Sequence, residues 1–205
     1  MLVDLAKRTL TSPAMFDAYQ SLVGAPECHR RFIHEMVRPI PGERILDLGC
    51  GVGASIRYLP DTADYVGIDI SEAYIAKARA AYGHRGKFVR ADVTKVDADA
   101  LGTFDRAFAF GVLHHLSDSV AAHAVRLLRH VVKHGGTFVS IDPCLVAGQH
   151  RIAKLLIEND RGEHVRDRAG FERIVSGLGK VRTEIHHDLL RIPYTQIVMW
   201  VLVEN

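Results

Sequence analysis

The sequence predicts an α/β fold: a doubly wound, seven-stranded, mostly parallel sheet with an antiparallel last strand. Three observations carry that expectation. Short apolar runs of strand length alternate with helix-like stretches between residues 43 and 142, the pattern of βαβ units. Acids recur at the carboxyl ends of those runs (Asp69, Asp92 and Asp142, with Asp47 just inside the first), where open α/β sheets bind their ligands. The chain closes on two strand-like runs, 183–192 and 195–203, whose junction at Arg191-Ile192-Pro193-Tyr194 is short enough to require antiparallel pairing.

Taken in order, residues 1–40 read as a helical segment outside the sheet. Ser12-Pro13 starts a helix carrying Met15, Phe16, Tyr19, Leu22 and Val23 on one side. Gly24-Ala25-Pro26 breaks it, and a second helix over 27–37 turns Phe32, Ile33, Met36 and Val37 inward. Phe16 and Tyr19 are candidates for a substrate wall. Pro39 and Pro41 stop the helix before the first strand, 44–48, an apolar run with Asp47 set into it and suited to the centre of a parallel sheet. Gly49, Gly51 and Gly53 then alternate through a sharp turn, where glycine permits positive φ and close approach of a ligand. A helix over 54–59 is expected next, its amides aimed at the same spot. The second strand, 64–70, ends at Asp69. Ser71 caps a helix over 72–82. The third strand, 87–93, ends at Asp92. The fourth, 104–110, leads into Gly111-Val112-Leu113-His114-His115-Leu116. A helix from Ser117 to Val132 takes its spacing from Ala122, Val125, Leu128, Arg129 and Val132, with Gly135-Gly136 closing it. The fifth strand is 137–142. Residues 143–180 form a variable segment: a helix over 152–157, a dense polar stretch 158–168, and a helix over 171–178. Arg161 and Arg166 in that stretch are candidates for binding an anionic substrate, although interleaved Glu158, Asp160, Glu163 and Asp167 favour internal ion pairs. His186, His187 and Tyr194 belong near an acceptor site, with the two histidines facing opposite ways on a strand.

Gly49-x-Gly51-x-x-Ala54 satisfies the dinucleotide fingerprint. The run Asp47-Leu48-Gly49-Cys50-Gly51-Val52-Gly53 more closely resembles motif I of the class I S-adenosylmethionine (SAM) methyltransferases, with its acid two residues before the first glycine. The stretch from Phe104-Asp105 to Val112-Leu113-His114-His115-Leu116 is similar to the segment after the fourth strand in the small-molecule branch of that family, the methyltransferase-domain type 11/12-like proteins. The resemblance covers residues 43–142, and the final hairpin agrees with it. It implies a Rossmann-like fold, SAM as cofactor, and methyl transfer to an oxygen, nitrogen or carbon of a small molecule. It also implies roles. Asp47 meets the ammonium end of the methionine, and Gly49, Cys50 and Gly51 line the turn against the ligand. Asp69, at the end of the second strand, can accept both ribose hydroxyls, as in NAD and SAM sites alike, and Ile70 packs on adenine or in the core. Asp92 and the amide of Val93 take the adenine edge, while the backbone of Phe110 or Gly111 holds the methionine amino group. His114 and His115 lie beside the transferring methyl, one as a candidate base. Asp142 orients a hydroxyl or a histidine, or caps the next segment.

Bulk properties narrow the classes. The chain has 205 residues, suited to one domain spanning 1–205. A formal net charge of +2 from 26 basic and 24 acidic residues gives no global footprint for nucleic acid. No apolar run approaches the roughly 18 residues of a membrane helix, and the N-terminus lacks the pattern of a secretory signal. Three scattered cysteines (Cys28, Cys50, Cys144) suggest reduced thiols and a cytoplasmic protein. No Cys/His cluster has metal-ligand spacing. A small-molecule substrate, no membrane or nucleic-acid partner, and a monomer or homodimer are expected. The alternatives are an NAD-dependent oxidoreductase, for which no second catalytic domain is evident, and a non-catalytic SAM-binding module.

Overall fold

The computed structural model describes residues 22–160 and 162–204. The readings placed on Ser12-Pro13, Met15, Phe16, Tyr19 and Arg161 lie outside them. Helix α1 (Ala25–Arg31) runs without interruption into a π-helical turn over Phe32–Val37. Gly24 and Pro26 begin this helix: Gly24 is its left-handed N-cap, and Pro26 sits in its first turn, where a missing N–H is harmless. The expected inward residues Phe32, Ile33, Met36 and Val37 are all buried.

The strands follow as β1 (Arg44–Leu48), β2 (Asp64–Asp69), β3 (Gly86–Arg90), β4 (Phe104–Phe110), β5 (Val132–Leu145), the two-residue β6 (Arg166–Asp167), β7 (Gly179–His186) and β8 (Gln196–Val203). Among the described residues the main sheet runs β3-β2-β1-β4-β5-β8-β7, and β6 pairs with the end of β5. β1 to β5 are mutually parallel, and β8 is antiparallel to both its neighbours. The expected hairpin is thus present, but its connection is the longer 187–195 segment. Crossovers reverse direction at β1/β4, which puts the switch point of a doubly wound sheet beside the glycine turn.

Period-two alternation sends successive residues to opposite layers. On β1, Ile45 joins the layer formed with α1, Phe32, Ile33 and Phe108, whereas Leu46 and Leu48 join the opposite layer with Leu127, Leu128 and Phe171. Helix α2 (Glu72–Tyr82) covers the first layer through Ile75 and Ala78. Ser71 caps it as expected, its side chain accepting from the Tyr74 N–H. The second layer is covered by α3 (Ala98–Leu101), α4 (Asp118–Val131) and α6 (Arg168–Val175). α4 buries Ala121, Ala124, Leu127, Leu128 and Val131. The expected face is therefore offset by one position, and Ala122 and Arg129 are exposed.

Two further expectations change. α4 stops at Val131, and the chain enters β5 at once at Val132, so Gly135-Gly136 lies within the strand rather than closing the helix. The segment after the glycine turn is a 3-10 helix over Ala54–Tyr58, ending at Leu59-Pro60, rather than an α-helix. α5 (Arg151–Glu158) and α6 lie where helices were expected in the variable segment.

Candidate functional site

The glycine turn is built by backbone demands. Gly49, Gly51 and Gly53 have φ of 75°, 54° and 78°. The N–H groups of Gly49 and Cys50 donate to the Ile68 carbonyl at 2.8 and 3.0 Å, which ties the turn to the end of β2. A Cβ at Gly49 would lie 2.6 Å from Val112 Cγ2, and one at Gly53 2.7 Å from the Phe88 ring. A Cβ at Gly51 would meet nothing within 4 Å, so this glycine faces open space. Gly51 N–H donates to Asp69 Oδ2 at 3.0 Å and Ser71 N–H to Asp69 Oδ1 at 2.8 Å. The turn therefore closes over the carboxyl end of β2 while each Asp69 oxygen keeps acceptor capacity. Beside it Ile70 is 65% exposed, which rules out a core role for that side chain.

The other residues expected to meet a cofactor stand at the carboxyl ends of the neighbouring strands. Asp92 follows β3, and its Oδ1 accepts from Thr94 N–H and Oγ1–H at 2.9 and 2.7 Å. Those Thr94 bonds hold its carboxyl below the ordinary range. Val93 is half-buried and packs toward the core. Phe110 ends β4 with its ring stacked on His29 of α1 at 4.0 Å and 11°. Gly111 has φ 66°, and its N–H donates to the Ile141 carbonyl. Cys50 is buried, and desolvation pushes its thiol up, so it is a small packed side chain rather than a nucleophile.

Asp47 differs from the expectation that it touches a ligand directly. It is 1% exposed beneath the turn and accepts from Tyr65 O–H at 2.7 Å. Burial pushes its carboxyl up to about 7, against the hydrogen bonds of Tyr65 and Ser55. Ser55 in turn meets His29 Nε2 at 2.9 Å. Burial, with the nearby Arg57 charge, lowers His29 to about 4, so the ring on Phe110 is neutral. His29, Ser55 and Tyr65 were not singled out from the sequence. Their link to Asp47 joins three separate elements and leaves no local spacing to read.

On the other side of β4, His114 is 5% exposed, with Nδ1 2.8 Å from Asp142 Oδ1 and Nε2 3.3 Å from Asp160 Oδ1. Its backbone N–H also donates to Asp142 Oδ1 at 3.1 Å. Burial alone would depress the imidazole, but the bonds and charges of Asp142 and Asp160 outweigh it and raise it to about 9. Desolvation works against the Asp160 carboxylate too, yet His114, Gly162 N–H and Tyr194 O–H bring it to about 2. Burial raises the Asp142 carboxyl against the pull of His114. His114 is thus an imidazolium with both ring protons committed, and the sequence-based expectation of a base at His114 is corrected. His115 is exposed next to it, with ring centroids 4.0 Å apart. Asp142 does orient a histidine, but from inside β5, where it is fully buried opposite Ile197, rather than from the strand's end.

Arg166 is also corrected. Its guanidinium is occupied by Asp118 Oδ1 and by the carbonyls of Leu113, His164 and Leu116, which makes it a clamp on the 113–118 loop rather than a substrate anchor. Gly162 lies against the His114 ring, where an added Cβ would clash with Cδ2. Tyr194 O–H donates to Asp160 Oδ2 at 3.2 Å, and Tyr194 and His187 both line a cleft beyond β5. His186 does not line it and lies beside Glu184 and Asp188 instead. Among the described residues no group of His, Cys, Asp or Glu is placed to hold a metal, and no helix is long and apolar enough to cross a membrane.

Residues 45–136 match a family model described as a methyltransferase domain. The chain is 28% identical to 24-methylenesterol C-methyltransferase 2 of Oryza sativa subsp. japonica, over 73% of this chain and 40% of that protein. It is 31% identical to an O-methyltransferase of Pyrenophora dematioidea, over 66% of this chain and 56% of that protein. The chain thus spans about half the length of these relatives. Human N-acetylserotonin methyltransferase, solved in complex with SAM, shares the fold with a TM-score of 0.66 at 17% identity, covering 91% of this chain and 53% of that one.

Proposed function

Since the chain belongs to the class I SAM-dependent methyltransferase family, we propose that it transfers the methyl group of SAM to an oxygen, nitrogen or carbon of a small-molecule acceptor. One observation carries the reading: the Gly49–Gly53 turn folds over the end of β2 so that Gly51 faces open space beside Asp69 and the exposed Ile70. These residues fit an adenosyl ligand. Asp69 offers two oxygens with spare lone pairs to vicinal ribose hydroxyls. Ile70 offers an uncovered apolar side chain to the base, and Asp92 and the Val93 amide offer an acceptor and a donor to its edge. Phe110 and Gly111, at the end of β4, would flank the methionine end.

Bound there, SAM supplies a methyl already activated on a sulfonium. The chain's part is to position and to exclude water. Neutral His29 stacked on Phe110 closes the strand end without placing a positive charge near the cationic donor. The His114–Asp142–Asp160 cluster fixes the 111–116 loop against the acceptor side. Where the acceptor carries a proton to be lost, exposed His115 is the candidate histidine to receive it. Three free, buried cysteines suit a cytoplasmic location.

Calorimetric titration with SAM, S-adenosylhomocysteine and NAD tests the reading. Micromolar binding of the first two is expected, weakened in both Asp69→Asn and Ile70→Ala. Ile70→Ala alters an exposed side chain and so separates ligand contact from folding. Binding of NAD alone overturns the proposal. Tight SAM binding with no turnover across an acceptor screen makes the chain a non-catalytic module.

A further inference from the structure

Beyond the carboxyl end of β5, the 146–150 turn, α5 and the 187–195 connection enclose a cleft of about 590 Å3. That size suits a small organic ligand. Val146, Ala153, Leu190 and Ile192 give it an apolar wall, and Leu190 packs back on the core, so the wall is fixed. None of its lining residues is an aspartate or a glutamate, while Arg191, His150 and His187 all line it.

Two groups in the wall lack partners of the kind they are built to hold. Arg191 is exposed, with no carboxylate within 4.0 Å among the described residues. Its backbone N–H is tied to the Val23 carbonyl at 2.9 Å, and its stem lies against Gly24, where a Cβ would be 3.0 Å from Cγ. The stem is therefore held while the guanidinium is left over. Gln149 Oε1 accepts from Val146 N–H at 2.6 Å, which fixes which end of the amide is which. Its Nε2 is then a buried donor without an acceptor, a standing cost to the fold that an acceptor atom reaching it from the cleft would relieve. The negative charges nearby are turned elsewhere. Glu27, which feels the Arg191 charge, is paired through both oxygens with Arg30; Asp160 lies behind Tyr194 and pairs with His114, and Asp188 lies 3.7 Å from Arg31.

We propose that this cleft receives the acceptor, and that the acceptor is an apolar carboxylic acid. Its body lies on Val146, Ala153, Leu190 and Ile192, and its carboxylate on Arg191 with Gln149 Nε2 as second donor. A planar guanidinium matches a carboxylate in two hydrogen bonds, which an alcohol of the same shape cannot reproduce. The assignment of this ligand as the acceptor rests on the methyltransferase reading; the preference of the cleft does not.

The test uses the full chain saturated with S-adenosylhomocysteine. It is titrated with 2-naphthoate and decanoate, to separate aromatic from aliphatic acids, and with the neutral 2-naphthalenemethanol and decanol. At least one acid should bind ten-fold or more tightly than its alcohol. Arg191→Gln should remove most of that difference while S-adenosylhomocysteine affinity stays unchanged, and Gln149→Met should weaken the acid further. The proposal is overturned if neither acid binds, if the alcohols match the acids, or if Arg191→Gln leaves acid affinity intact. Should the acids keep their preference in a protein that fails to bind S-adenosylhomocysteine, the methyltransferase reading falls and the cleft's chemistry stands.

Discussion

Replacing His114 with glutamine should cost about 3 kcal/mol at neutral pH, and the cost should vanish in alkali. The structure supplies both halves of that statement. The imidazolium sits between Asp142, which is fully buried, and Asp160, with both ring nitrogens engaged. Its folded-state value is about 9, against an ordinary 6.5 in the unfolded chain. At roughly 1.4 kcal/mol per tenfold change in proton affinity, that gap corresponds to about 3 kcal/mol. Removing one partner of a buried pair independently suggests about 3–5 kcal/mol, because the other charge is stranded. For a group raised in the folded state, the stabilisation is complete below about pH 6.5 and is lost as pH rises through about 9. Chemical denaturation of wild type and His114→Gln at pH 6, 7.5 and 9.5 measures it. The gap between the two should shrink across that series, with a melting difference of about 6–12 °C at the acid end for a chain of this size. Asp142→Asn in the His114→Gln background should recover part of the loss, since it removes the stranded charge. Equal stability of the two proteins at pH 6, or a gap that does not change with pH, would refute an ionised His114.

Three other predictions follow from the same geometry. Gly49→Ala should be worse for folding than Gly51→Ala, because its Cβ would lie 2.6 Å from Val112 whereas that of Gly51 meets nothing. Melting should separate them, while calorimetry should show both impaired in SAM binding, Gly51→Ala by intrusion into the ligand's space. Gly162→Ala should push on the His114 ring, where an added Cβ would clash with Cδ2, and lower the melting temperature without altering S-adenosylhomocysteine affinity; an unchanged melt would show that the 162 backbone yields freely. SAM affinity should rise with pH through about 7 as Asp47 ionises, and Asp47→Asn should flatten that profile. A wild-type profile as flat as that of the variant would remove the electrostatic role of Asp47.

What was legible in the sequence was what backbone geometry forces into local pattern. Alternating glycines are visible because positive φ at three positions excludes most other residues. Ser71 announces α2 because an N-cap hydroxyl acts within its own turn. The strands of the sheet centre were legible for the same reason, being short apolar runs between breakers. The offset on α4 arose because Ala121 and Ala124 look neutral, while Val125 looks like core yet only half enters it. The acceptor side was opaque. Asp160 and Arg166 sit in a charged run that reads as solvated loop, and only the fold brings one to His114 and the other to the carbonyls of 113–116. His29, Ser55 and Asp47 meet across separate elements, as do Tyr194 and Asp160. Contacts of that kind carry no periodicity.

The two sides of β4 solve opposite electrostatic problems. On the side of His114 the buried charges are neutralised within the protein. His114 lies between two carboxylates and Arg166 has Asp118 and three carbonyls, so that wall is stable with no ligand present. On the cofactor side they are not. Among the described residues Asp47 has hydroxyl donors for partners, Asp69 adds a second negative charge nearby, and the His29 imidazole linked through Ser55 is held neutral. A hydroxyl can stabilise a buried carboxylate but cannot cancel its charge. The folded protein therefore leaves a negative potential under the glycine turn, beside the end of β4, that no ion pair to Asp47 or Asp69 cancels among the described residues. A ligand that brings positive charge on an ammonium and a sulfonium is expected to bind more tightly there for that reason. S-adenosylhomocysteine keeps the ammonium and loses the sulfonium, so it leaves more easily. The unbalanced acid thus favours the exchange of product for donor as well as the binding of the donor itself.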